Sequence, residues 1–274
     1  MSMVCYNGAL LPENEVWISP FDHGFLYGDG IYETLLFRNQ IFFDVSEHLN
    51  RLRKSAETLR IPVPWNDTDI RRWLEEVVTQ NALSEARVRI SITRGANDFH
   101  FSGAKSPTLL ITASRLMDYC SLQQTGVSLT ALPEIHRILP EAKTISLLPL
   151  ILAKQKMEDE KAFECLFVRE NIVTEGSVSN VLCRKEKEIW ITPRHLALPG
   201  TMQKRVVDFL RVSGKSVQEC SFSLEDLQNA DEVLLTNSLF GILPVKSICG
   251  ISIPSCPGEL FQELSKMMKN IGIM

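Results

Sequence analysis

Several things are missing from this 274-residue sequence, and each absence removes a class of protein. It contains no apolar run of about 18 residues, so no stretch reads as a membrane-spanning helix. The opening Met1-Ser2-Met3-Val4-Cys5-Tyr6 lacks the charged-then-apolar pattern of a secretory leader. Basic residues do not outnumber acidic ones (29 against 33, net charge −4), which leaves no electrostatic case for a nucleic-acid partner. The seven cysteines are odd in number, scattered and without a Cys-x-x-Cys pair. They predict reduced, buried thiols in a cytoplasmic protein. The five histidines show no metal-ligand spacing, so no metal is assigned. No Gly-x-Ser-x-Gly elbow points to a serine hydrolase, and no Gly-x-Gly-x-x-Gly leads into a helix as a dinucleotide site requires.

What is present is ordinary for a soluble globular protein. Hydrophobic residues make up 45% of the chain and charged ones 23%, enough apolar material for one large or two moderate domains. The chain is organised around residues 142–180. Lys143 lies between two hydrophobic segments, an amphipathic helix is expected over 147–161, and short strands over 163–169 and 171–174 lead to Glu175. A lysine followed by a carboxylate is the pair needed to hold pyridoxal phosphate. The amine forms a Schiff base, and the carboxylate keeps the pyridine nitrogen protonated so that the ring acts as an electron sink. A solvated loop lysine is the competing reading of Lys143.

Earlier in the chain, an opening hairpin is expected from residues 3–10, with Asn7-Gly8 at its turn, and from residues 15–18. Gly28-Asp29-Gly30 reads as a tight turn more than as a nucleotide loop, because a strand follows it. That strand, 31–37, places Tyr32, Thr34 and Leu36 on one face and Glu33 and Leu35 on the other. A helix from about Val45 carries an apolar stripe at Val45, Leu49, Leu52, Ala56 and Leu59, with His48 and Arg51 beside it. An arginine so placed is either solvated or a fixed phosphate ligand. Strands are expected at 87–93 and 108–114, and a polar linker at 118–125. Gly200 precedes a helix over 202–212, a natural anion site at a helix N-terminus, and the turn Thr236-Asn237-Ser238 could present polar groups to the same anion. A last helix is expected over 259–270.

In that order, Gly28-Asp29-Gly30-Ile31-Tyr32-Glu33-Thr34, Glu47-His48-Leu49-Asn50-Arg51-Leu52, Lys143-Thr144, Thr174-Glu175-Gly176 with Ser179-Asn180, and Leu198-Pro199-Gly200 resemble the class IV aminotransferases. These are the fold-type IV pyridoxal-phosphate enzymes, which include D-amino acid and branched-chain aminotransferases and 4-amino-4-deoxychorismate lyase. The resemblance implies an α/β (α+β) fold of two domains, placed here at residues 1–120 and 121–274, with pyridoxal 5'-phosphate in the cleft between them. It implies Lys143 as the Schiff-base lysine and proton shuttle, Glu175 at the pyridinium nitrogen and Arg51 on the phosphate. Thr201 and Met202 amides with Asn237 and Ser238 would complete the phosphate cup. Tyr32, Thr34, Leu36 and His100 would face a small amine or amino acid-like substrate, in a homodimer.

Departures from the family pattern bear on the substrate. Phe99 and Phe101 stand where D-amino acid aminotransferases carry the Arg-x-His that grips the substrate carboxylate, with His100 between them. Leu36 replaces a frequent basic residue, and Met202 resembles some lyases. Transamination and the lyase reaction therefore stand near parity, and a non-catalytic pyridoxal-phosphate-binding protein is the alternative.

Overall fold

The computed structural model describes residues 2–96 and 106–274. The chain forms two compact units, Met1–Met117 with Ala142–Leu147, and Asp118–Glu141 with Leu148–Met274. The division is not the single cut expected near residue 120. The segment carrying Lys143 clusters with the first unit and not with the C-terminal one.

In the first unit, strands β1 (Met3–Tyr6), β2 (Ala9–Pro12), β3 (Gly30–Arg38), β4 (Ile41–Phe42), β5 (Ala86–Thr93) and β6 (Thr108–Arg115) form a sheet in the order β2-β1-β6-β5-β3-β4. Its pairings are antiparallel. Asn7 and Gly8, both at positive φ, make the β1–β2 turn, so the hairpin closes at Pro12 and residues 15–18 form no strand. Helices α1 (His23–Tyr27), α2 (Val45–Leu59) and α3 (Asp67–Gln80) complete the unit. The short helix α1 lies where only a loop was expected; Asp22 caps it, and Gly28 ends it in the left-handed region at φ 67°.

The sheet has two different faces. Ile31, Leu35 and Phe37 of β3 join Val88, Ile90 and Ile92 of β5 in a core closed by Leu49, Leu52 and Ala56 of α2 and by Ile70, Trp73, Leu74 and Val77 of α3. Each such aliphatic side chain contributes roughly 1.5–3 kcal/mol through its burial. The alternate residues project to the opposite face, as the period of two requires.

In the second unit, α4 (Cys120–Thr125) occupies the stretch expected to be a linker. After it come β7 (Val127–Pro133), α5 (Leu148–Glu160), β8 (Glu164–Arg169), β9 (Ile172–Gly176), β10 (Asn180–Lys185), β11 (Glu188–Ile191), α6 (Thr201–Val212), β12 (Val217–Glu219), α7 (Leu224–Gln228), β13 (Glu232–Asn237), β14 (Gly241–Ile248), β15 (Ile251–Ser252) and α8 (Glu259–Asn270). The strands order as β12-β11-β10-β13-β14-β7-β8-β9, with β15 beside β14. Pairs β7–β8, β7–β14 and β11–β12 are parallel within an otherwise antiparallel sheet. Its core runs through Leu166, Val173, Val181, Cys183, Val233, Leu235 and Leu243. Buried Glu232 accepts from the Leu260 and Phe261 amides at 3.0 and 2.7 Å, and so ties down the N-terminus of α8.

Candidate active site

Lys143 is held by its backbone. Ser55 Oγ of α2 accepts from the Lys143 amide at 3.1 Å, and the Lys143 carbonyl accepts from the Tyr32 amide at 2.9 Å. Ile145 N donates to Gly30 O at 3.0 Å, and Thr144 bridges Ile31, so residues 143–145 pair with the start of β3 beyond the reach of short β4. This close approach explains Gly30: a Cβ there would lie 2.6 Å from Ile145 Cδ1 and 2.7 Å from the Ile92 carbonyl. The glycine pair is thus a packing device for the lysine segment, in keeping with the tight-turn reading.

Side chains gather on the face of the sheet opposite its core. The Lys143 Nζ lies 4.6 Å from the centre of the Tyr32 ring, and the Arg89 guanidinium carbon lies 3.9 Å from the same ring. Register places Tyr32 opposite Ser91, Thr34 opposite Arg89 and Leu36 opposite Arg87. The three β3 residues expected on the substrate side therefore do share one face, with two arginines across from them. Arg89 is half-buried, donates to Ser91 Oγ at 3.1 Å and has no carboxylate partner among the described residues. Burial pushes its pKa down, and nearby Arg87 adds to this, while Tyr32 opposes. Sequence reading missed Arg89. The alternation Arg87-Val88-Arg89-Ile90 puts both arginines on one strand face, but which neighbour they meet depends on register. His100, with Phe99 and Phe101, lies outside the described residues.

Arg51 leaves α2 on the core side and has a buried partner. Its Nε and Nη2 donate to Glu33 Oε1 and Oε2, both at 2.7 Å, and His48 Nδ1 lies 2.6 Å from Glu33 Oε2. Burial alone would raise the Glu33 pKa, but the Arg51 charge and hydrogen bonds, with His48, outweigh it and hold the carboxyl at about 2. The guanidinium plane of Arg51 is thereby fixed.

In the second unit, Glu175 near the end of β9 is 3% exposed. Its Oε1 is 3.0 Å from Arg137 Nε, and its Oε2 accepts from the Leu198 amide at 3.2 Å. Arg137 Nη2 also donates to Ser177 O at 3.3 Å, and Asn180 Nδ2 donates to Leu198 O at 2.8 Å. The turn between β9 and β10 wraps a second buried carboxylate. Glu164 accepts from Ser177 N at 3.0 Å, from Ser177 Oγ and from Ser179 Oγ at 2.9 Å; burial pushes its pKa up, and these donors oppose the rise. Helix α6 begins after Gly200, which has no side chain to cap the first-turn amides. Thr201 Oγ1 and Ser238 Oγ lie 3.1 Å apart there, while Met202 is buried. The Asn237 side chain is engaged within the turn: its amide nitrogen donates to Val178 O at 2.5 Å, and its amide oxygen accepts from Leu239 N at 2.8 Å.

The family model for amino-transferase class IV matches residues 30–248, which takes in the Tyr32, Arg51, Lys143, Glu175 and Thr201 positions. The chain belongs to the class IV aminotransferase family. It is 30% identical over 271 residues to a D-alanine aminotransferase of Bacillus licheniformis, covering 97% of this chain and 96% of that one. It is also 30% identical to an aminodeoxychorismate lyase of Bacillus subtilis (strain 168), covering 97% and 94%. Among solved structures, a hypothetical aminotransferase from Mycobacterium tuberculosis in its PLP-bound form superposes at TM-score 0.85, at 25% identity and 97% and 98% coverage.

Membership makes this class IV protein a pyridoxal-phosphate enzyme of amino-group chemistry. The non-catalytic alternative falls, because these relatives are enzymes matched over nearly the full chain. The residues of each unit fit the cofactor. The first supplies a lysine whose main chain is pinned beside an aromatic ring. The second supplies a buried carboxylate and a side-chain-free helix N-terminus flanked by two hydroxyls.

Proposed function

We propose that this enzyme removes the α-proton of a small amino acid-like substrate, with Lys143 as the attachment point and base and with Arg89 binding the substrate carboxylate. The observation that carries the reading is that Lys143 and Arg89 meet one Tyr32 ring. Pyridoxal 5'-phosphate, when bound, supplies an electron-poor ring that takes up the charge left by proton removal. The chain's own groups do the rest. Glu175 holds a proton at the ring nitrogen. Arg51, oriented by Glu33, supplies a cation for the phosphate, together with the Thr201 and Met202 amides and Ser238. Tyr32, Thr34 and Leu36 shape the substrate side. Lys143, as a neutral amine, would take the proton from the substrate carbon and give it back.

Transamination is the first outcome proposed. Arg87 and Arg89, about 7 Å apart along one strand face, favour a substrate bearing two carboxylates. That is true of 2-oxoglutarate as amino acceptor, and also of aminodeoxychorismate in the lyase reaction. Incubation with amino donors plus 2-oxoglutarate, and separately with aminodeoxychorismate, distinguishes the two. Aminobenzoate formation with no amino transfer overturns the first outcome. Borohydride reduction of the loaded enzyme followed by peptide mapping should place the cofactor on Lys143, and a tag on another lysine removes the whole reading.

A cytoplasmic homodimer belongs to the same proposal. None of the seven cysteines is bridged, and among the described residues no helix is long and apolar enough to cross a membrane. Trp17, Phe21 and Phe25 are 83, 68 and 76% exposed within a single short segment, an apolar patch that a second copy would cover. Light scattering should give twice the chain mass, and Phe25→Glu should lower it.

A further inference from the structure

Arg137 has no role in the reading above, yet it makes the ion pair to Glu175, 3.0 Å from Nε to Oε1, and a second contact from Nη2 to Ser177 O. Both side chains are largely enclosed, at 11 and 4% exposure. A cation–carboxylate pair removed from water in this way is costly to build and costly to break from one side. The arrangement calls for a function, because Glu175 already has the Leu198 amide on its other oxygen.

We propose that Arg137 is a positioning residue which keeps Glu175 a carboxylate in one orientation and so keeps the shared proton on the cofactor's ring nitrogen. This inference rests on the pyridoxal-phosphate reading of Glu175. One proton can sit either on the carboxylate oxygen or on the ring nitrogen. A guanidinium in contact with the carboxylate stabilises its negative charge strongly. The same guanidinium repels the pyridinium less, because that charge lies farther off across the carboxylate. The net effect places the proton on nitrogen. The contact to Ser177 O, in the turn clamped by Glu164, fixes the guanidinium so that Glu175 cannot swing away.

The test uses the full-length holoenzyme and two cofactors: pyridoxal phosphate labelled with 15N in the ring, and the analogue with carbon in place of that nitrogen. Three proteins are compared, wild type, Arg137→Met and Arg137→Lys. The 15N shift should report a protonated ring in wild type and Arg137→Lys, and an unprotonated or mixed ring in Arg137→Met. Affinity for pyridoxal phosphate, by fluorescence quenching, should fall roughly tenfold or more in Arg137→Met and less than about twofold for the carbon analogue. A protonated ring in Arg137→Met, or equal losses with both cofactors, overturns the proposal, since a merely structural arginine would weaken both alike. Should Arg137→Met not fold by circular dichroism, Arg137→Gln carries the same two measurements with the same expected split. A wild-type chain that binds no pyridoxal phosphate is a different result: it sinks the parent reading, and this proposal with it.

Discussion

Tyr32 meets Lys143 through both main chain and side chain: its amide donates to the Lys143 carbonyl at 2.9 Å, and its ring centre lies 4.6 Å from the Lys143 amine. With the Lys143 amide held by Ser55 Oγ, both backbone groups of that residue are used, and only the side chain is left to move. Ser55→Ala would remove the acceptor of a part-buried amide and cost about 0.5–1.5 kcal/mol. Urea denaturation checks the stability, and the yield of borohydride-fixed cofactor at Lys143 should fall alongside it.

Gly30→Ala tests the same contact from the other strand. Its methyl would meet Ile145 and the Ile92 carbonyl, so residues 143–145 must withdraw from β3. Cofactor retention after dialysis should drop by more than the loss in thermal stability explains, and retention at the wild-type level would contradict this.

Arg89→Met should raise KM for a carboxylate substrate by roughly 10–100-fold, the worth of a charged hydrogen-bonded contact. Affinity for pyridoxal phosphate should stay within about twofold, since the reading gives Arg89 no phosphate contact. Steady-state kinetics beside cofactor titration separates the two, and an unchanged KM removes Arg89 from the substrate site.

The Glu33 carboxyl sits at about 2 in the folded protein, below its ordinary 4.5. A depressed carboxylate stabilises the fold fully above the ordinary value, and that stability drains away as pH falls from 4.5 toward 2. Urea midpoints should therefore fall steeply across that window, and less steeply in Glu33→Gln. Arg51→Met leaves the Glu33 charge buried without its main partner and should cost about 3–5 kcal/mol at neutral pH.

Burial pushes the Cys5 thiol up to about 11, and those of Cys165 and Cys183 up to about 12, so none of the three is a thiolate at neutral pH. A disulfide-exchange reagent at pH 8 should label exposed Cys120 within minutes and leave these three untouched until urea is added. Labelling of Cys165 or Cys183 in the folded protein would contradict their burial.

Much of the site was legible from sequence, because the signals involved are local. The steps of three and four from Val45 to Leu59 predicted the face that α2 buries, and Leu49, Leu52 and Ala56 do lie in the core. The period of two put Tyr32, Thr34 and Leu36 on one side of β3, where register finds them facing Ser91, Arg89 and Arg87. The last helix was expected over 259–270, and α8 spans Glu259–Asn270. Helix and strand periods are written within a few neighbouring residues, so one segment carries its own evidence.

Local pattern also determined that Lys143 lies between elements, ahead of a helix; it ended the strand before Glu175 at Thr174, whereas β9 runs on through Glu175 to Gly176. Partners were decided only by tertiary structure. That Arg51 meets Glu33, that Arg89 lies on Tyr32 and that Arg137 grips Glu175 each join residues distant in sequence. Such pairings follow from sheet register and helix docking, which the burial of a whole core selects at once. No window of neighbouring residues contains that choice, since the free energy that makes it is spread over every strand and helix that closes the core.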